Sequence, residues 1–156
     1  ITVMTNGAIR AYEIADKFRE KGNTVVFGGW HASALPDEAI KHADSVVIGE
    51  AEENWPKLIK DFEEGKLKRF YRQNHPIDLK IVPPLFNERK LNKKLSYPDT
   101  VEATRGCPVG CIFCSISNRP YYRNYRKKDI DLVVEEIKHI PWRFFNFVDS
   151  SLTLDP

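Results

Sequence analysis

Cys107, Cys111 and Cys114 are the only thiols among 156 residues, and they fall within eight consecutive positions. Their spacing is C-x3-C-x2-C, inside Arg105-Gly106-Cys107-Pro108-Val109-Gly110-Cys111-Ile112-Phe113-Cys114. An odd, tightly clustered set makes a poor disulfide framework and points instead to a reducing cytosol and a metal site. Thiolates are the usual protein ligands of iron–sulfur clusters. Three of them on a four-iron cubane leave one iron without a protein ligand. That iron can chelate the amino and carboxylate groups of S-adenosylmethionine, and an electron from the 4Fe–4S cluster can then break the sulfonium C–S bond. Gly106 and Gly110 let the backbone fold tightly round such a cluster. Apolar Ile112 and Phe113 are expected to limit water access.

Other readings of these residues are open. Zinc would need a fourth ligand, and the nearest downstream histidine, His139, lies 25 residues past Cys114 in a predicted helix. Structural zinc sites also use paired knuckles, where this chain has one group. Three inert, buried thiols are the plainest alternative, against which the surrounding glycines and proline count. A zinc-stabilised nucleic-acid-binding module is a further alternative, because Arg119–Lys128 interleaves basic residues with Tyr121, Tyr122 and Tyr125 in the manner of a stacking platform. Nucleic acid is nonetheless not an expected partner.

The elements that position the cysteines follow from hydrophobic period. Ile1–Met4, Thr24–Phe27 and Ser45–Ile48 read as buried strands. Helices are predicted over 8–21, with Ala8, Ala11, Tyr12, Ala15 and Phe18 on one stripe, and over 52–64, with Trp55, Leu58, Ile59 and Phe62 on another. Strands alternating with helices imply a parallel sheet, with ligands beyond the strand carboxyl ends. The Gly28-Gly29 and Gly49-Glu50 turns fall there. Residues 66–99 read as a linker, rich in Pro and base, without periodicity. Thr100–Thr104 is a strand entering the cysteine loop. Asp129 caps a helix with Ile130, Val133, Val134, Ile137 and Ile140 on its apolar stripe. Phe144–Val148 is the last strand.

The net charge is +2, but nine basic residues between Lys66 and Lys94 face only Asp78 and Glu88. A solvated linker face accounts for such a run. No apolar stretch approaches a membrane span, and no secretory signal opens the chain, so a soluble cytoplasmic protein is expected.

The cysteine segment resembles the radical S-adenosylmethionine superfamily, whose signature is C-x3-C-x2-C with an aromatic residue before the last cysteine, as Phe113 is here. The resemblance implies that Thr100–Thr104 is the first strand of a partial (β/α)6 barrel. It places Asp149 and Ser150, at the end of the second strand, near the S-adenosylmethionine amino group. Where the superfamily often has Gly-Gly-Glu, this chain has Asp149-Ser150-Ser151. Residues 1–65 resemble the C-terminal part of the Rossmann-like cobalamin-binding domain of one branch. Thr2-Val3-Met4 stands in the place of its S-x-L motif, and Gly28-Gly29 follows 26 residues after Thr2. Small or hydroxyl residues there let the nucleotide base of cobalamin slide between strand ends. Gly49 and Glu50 belong to the same resemblance, and His31 reads as a loop histidine.

The resemblance therefore implies an α/β chain in three parts: cobalamin-binding-like at 1–65, linker at 66–99 and barrel start at 100–156. The chain is expected to be cut from a longer protein at both ends and to be inactive alone. The activity implied is reductive cleavage of S-adenosylmethionine to a 5'-deoxyadenosyl radical, or cobalamin-dependent methyl transfer or oxidative rearrangement. The electron donor would be external, such as flavodoxin or ferredoxin. A tRNA-modifying methylthiotransferase ranks lower, because that family has three more cysteines N-terminally and residues 1–106 have none.

Overall fold

The computed structural model describes residues 1–83, 99–117, 121–141 and 143–154. It is mixed α/β and divides into two compact units, Ile1–Ile77 and Asp78–Pro156.

In the first unit, helix α1 (Ala8–Glu20) leads to strand β1 (Val26–Phe27). Two short helices follow, α2 (Trp30–Ala34) and α3 (Pro36–Ala39), and then β2 (Ser45–Ile48), α4 (Asn54–Glu63) and β3 (Phe70–Arg72). The strands form one sheet in the order β1-β2-β3, parallel throughout, with Val26 opposite Ser45 and Val46 opposite Phe70. Parallel neighbours need crossover connections, which the helices supply. The core centres on Phe27, packed with Val3, Ala11, Tyr12, Ala15, Ala32 and Val46. Alanines on α1 let that helix lie close to the sheet. Burying Phe27 alone is worth about 1.5–3 kcal/mol.

Three expectations change here. Ile1–Met4 is not a ladder strand; it lies parallel beside β1 through one bridge, Thr2 to Gly28. Val3 is buried, while Ile1 and Met4 are half exposed, because the chain turns at Thr5–Gly7 straight after Met4. Residues 70–72, assigned to the linker, form β3. Its signal is two aromatics inside a basic run, and Tyr71 is buried with its hydroxyl donating to Asp61 at 2.8 Å. The α4 stripe is narrower than its period suggests. Leu58 packs on Val47 and Tyr71, whereas Trp55, Ile59 and Phe62 stay exposed.

In the second unit, β4 (Asp99–Val101) pairs in parallel with β7 (Phe145–Phe147), Thr100 opposite Asn146. The expected single strand Thr100–Thr104 is broken after Val101. Its second part, β5 (Thr104–Arg105), pairs antiparallel with β6 (Arg126–Lys127), which the sequence did not suggest. Helix α5 (Ile130–Lys138) is capped as expected, Asp129 accepting from the Asp131 amide at 2.9 Å. Its buried face is formed by Val133 and Glu136, while Ile130 and Val134 are exposed. Most of the linker (84–98), Arg119 and the last two residues lie outside the described residues. No helix among the described residues is long and apolar enough to cross a membrane.

Candidate functional site

The first unit gathers its candidate residues at the carboxyl ends of its strands. The Val3 amide donates to Gly28 O at 2.8 Å and the Gly28 amide to Ile1 O at 3.1 Å, which puts Thr2 beside Gly28. α2 starts at once after Gly29, and its Ser33 Oγ accepts from the Gly49 amide at 3.1 Å. One short helix therefore ties the Gly28-Gly29 turn to the Gly49 turn. Thr2 and Met4 are exposed, and Gly28, Gly29 and Gly49 partly so. Gly28, Gly29 and Gly49 thus share one ledge at this edge, flanked by the exposed side chains of Thr2 and Met4.

Glu50 points inward. It is buried, and its Oε2 accepts from Gln73 Nε2 at 3.0 Å and from the Ile77 amide at 3.3 Å. Gln73 Oε1 in turn accepts from the Glu50 amide at 2.9 Å. Glu50 and Gln73 thus splice the end of β2 to the chain after β3.

His31 is in α2, not a loop, and is buried. Its Nδ1 lies 3.3 Å from Thr5 Oγ1 and its Nε2 3.0 Å from the Tyr12 hydroxyl. Tyr12 donates to Glu38 Oε1 at 3.0 Å, so the proton between Tyr12 and His31 belongs to His31 Nε2. Burial, helped by the Glu38 carboxylate, pushes the Tyr12 hydroxyl up to about 12. The bonds from Tyr12 and His31 hold the Glu38 carboxyl below its ordinary value. Periodicity marked Tyr12 as core and left this polar cluster unseen, because Glu38 and His31 meet it from other elements.

The cysteine loop leaves β5 at Gly106. The Cys107 amide donates to Tyr122 O at 3.0 Å, and the Cys114 amide to Cys111 O at 3.1 Å. Cys107, Cys111 and Cys114 are free thiols, partly exposed, in irregular loop rather than a helix. Gly106 has φ 92°, and a Cβ there would strike the Asn124 carbonyl, so the loop root tolerates glycine only. Arg123 braces the loop, its Nη2 donating to Pro108 O at 3.4 Å. Ile112 and Phe113 stand out at the tip instead of shielding the thiols, Phe113 being 88% exposed.

Asp149 follows β7 by two residues. Its Oδ1 accepts from the Ala103 amide at 3.1 Å, from the Thr104 amide, and from Thr104 Oγ1 at 2.6 Å. Ser150 is exposed beside it.

Among the described residues no group of three or more His, Cys, Asp and Glu is placed to hold a metal ion. A cubane asks for a different arrangement, since each thiolate binds a different iron. The loop carries the donor chemistry of that group, three free thiols rooted at a glycine. His139, the nearest downstream histidine, donates from Nδ1 to Glu135 O at 2.8 Å, just past the end of α5.

The chain is similar in sequence to methyltransferases. It is 40% identical, over 93% of its own length, to the bacteriochlorophyllide d C-8(2)-methyltransferase of Chlorobaculum tepidum. Over its full length it is 35% identical to the C-12(1)-methyltransferase of the same organism. A putative methylthiotransferase of Methanocaldococcus jannaschii is 27% identical over 76% of the chain. The chain spans 33% and 36% of the lengths of the first two and 28% of the third. No family model and no solved structure matches it.

Proposed function

We propose that this chain forms part of a cobalamin-type radical S-adenosylmethionine methyltransferase of the cytoplasm. Residues 1–77 would supply the ledge for the nucleotide end of cobalamin. Residues 99–154 would supply the cysteine loop and the first strands of a partial barrel. The observation behind the reading is the C-x3-C-x2-C loop, which follows a strand and is rooted at Gly106. Similarity to methyltransferases across nearly the whole chain supports it. Cys107, Cys111 and Cys114 would hold a 4Fe–4S cluster. Bound there, that group supplies the electron that opens the sulfonium of S-adenosylmethionine, delivered by an external donor such as flavodoxin or ferredoxin. The protein's own part is to orient. Gly106 and Arg123 fix the loop's path, and the carboxyl ends of β5 and β7 stand beside it. In the first unit Gly28, Gly29 and Gly49 would form the floor of the ledge and the exposed Thr2 and Met4 its rim, with Glu50 holding the turn behind it.

The test is anaerobic reconstitution with iron and sulfide. The expected result is about four irons per chain with a brown absorbance that Cys111→Ala abolishes. Stoichiometric zinc with no iron uptake would overturn the reading.

A further inference from the structure

We propose that Asp149 is a positioning residue for the cysteine loop: its carboxylate sets the angle at which the loop leaves the sheet. The inference rests on the cluster site proposed above and goes beyond it. Strands β4 and β7 run together until the Val148 amide donates to Val101 O at 3.0 Å. There they part, because the chain turns at Glu102–Ala103 to pair with β6 instead. The Ala103 carbonyl finds its partner on that side, accepting from the Lys128 amide at 2.8 Å. The Ala103 and Thr104 amides do not point to a strand, and an unpaired backbone donor at a half-buried branch is costly.

Asp149 takes both. A carboxylate is an acceptor with two oxygens and about four lone-pair sites. Here it receives two successive amides and the Thr104 hydroxyl, which also lies 3.3 Å from Ser151 O. Thr104 itself is buried. The clamped pair ends three residues before Cys107, with only Arg105 and Gly106 between. Arg105 is tied back to Glu102 by two bonds, at 2.8 and 2.7 Å. The end of β7 thus sets the position of the first thiol through four residues of backbone. An acid is required rather than a hydroxyl, since three donors converge on it and charge-assisted bonds are the stronger kind.

The experiment compares Asp149→Asn and Asp149→Ala with the parent chain. Amide hydrogen exchange of Ala103, Thr104 and Cys107, the relative alkylation rates of the three thiols by iodoacetamide, and iron retained after reconstitution are measured. Exchange at Ala103 and Thr104 should rise about tenfold or more in Asp149→Ala. Asparagine, with the same shape and one acceptor oxygen, should give a partial rise. Cys107 alkylation should change relative to Cys111 and Cys114 at an unaltered unfolding midpoint in Asp149→Asn, which a merely structural residue would not produce. If Asp149→Ala fails to fold, Asp149→Asn decides alone. Unchanged exchange at Ala103 and Thr104 overturns the proposal, as does selective loss of S-adenosylmethionine affinity with those amides undisturbed. A parent chain that takes up no iron, with exchange still raised in both variants, overturns the cluster reading and leaves the clamp standing.

Discussion

Gly49 and Gln73 compete for one volume: the Cβ that Gly49 lacks would lie 2.7 Å from the Cβ of Gln73 and nearer still to its Oε1. Gly49 also has φ 94°, where side chains are strained. Gln73 cannot step aside freely, because its amide holds Glu50 and the His75 carbonyl. Gly49→Ala should therefore destabilise the chain by about 2–4 kcal/mol, strain and overlap together. Urea unfolding measures this, and an unchanged midpoint would show that the splice between β2 and the chain after β3 is loose.

The Tyr12 hydroxyl makes an alkaline prediction. Its folded value, about 12, is above the ordinary 10.0, so between those two pH values the unfolded chain has lost a proton that the folded chain keeps. That contribution is complete below pH 10 and is lost as pH rises toward 12, at about 1.4 kcal/mol per pH unit. Tyr12→Phe should lack this slope while keeping the ring stacked on His42, 4.4 Å between centroids. On the acid side Glu38, held low, contributes stability above the ordinary carboxylate value that disappears as pH falls through its folded value. Parallel alkaline slopes for wild type and Tyr12→Phe would refute the account.

Lys128 and Glu136 form an ion pair at 3.3 Å with side chains only 7% and 3% exposed. Glu136→Ala alone should cost about 3–5 kcal/mol, since it strands a buried ammonium. Lys128→Met combined with Glu136→Met should cost much less than the two singles together. Additive losses in that cycle would mean that the charges do not interact.

Phe113 separates fold from site. At 88% exposed it contributes little to packing, so Phe113→Ala should shift stability by no more than about 0.5 kcal/mol. Because the ring stands clear of the thiols, the same variant should lose reconstituted iron in air at the parent's rate. Faster loss would place Phe113 over the cluster.

Much of this could be read in the sequence, for reasons that are local. The three thiols, the glycines beside them and the Asp129 cap declare themselves by type and spacing, because ligand chemistry and helix ends depend on near neighbours. The helix expected over 8–21 followed from its period and forms as Ala8–Glu20, and the strand Ser45–Ile48 followed from its short apolar run. Other features needed three dimensions. β3 and β6 are two or three residues long, too short for periodicity, and exist because β2 and β5 offer them partners. The exposure of Ile59 and Phe62 depends on how much sheet lies under α4, which an amphipathic pattern does not encode. Glu50 turns inward because Gln73, 23 residues later, meets it there. Asp149 lies 45 residues beyond Thr104 in the chain, and only the parting of β4 from β7 makes the amides of Ala103 and Thr104 its partners. Sequence determined which residues can bind; tertiary structure decided that the carboxylates of Glu50 and Asp149 turn to neighbouring amides of their own units.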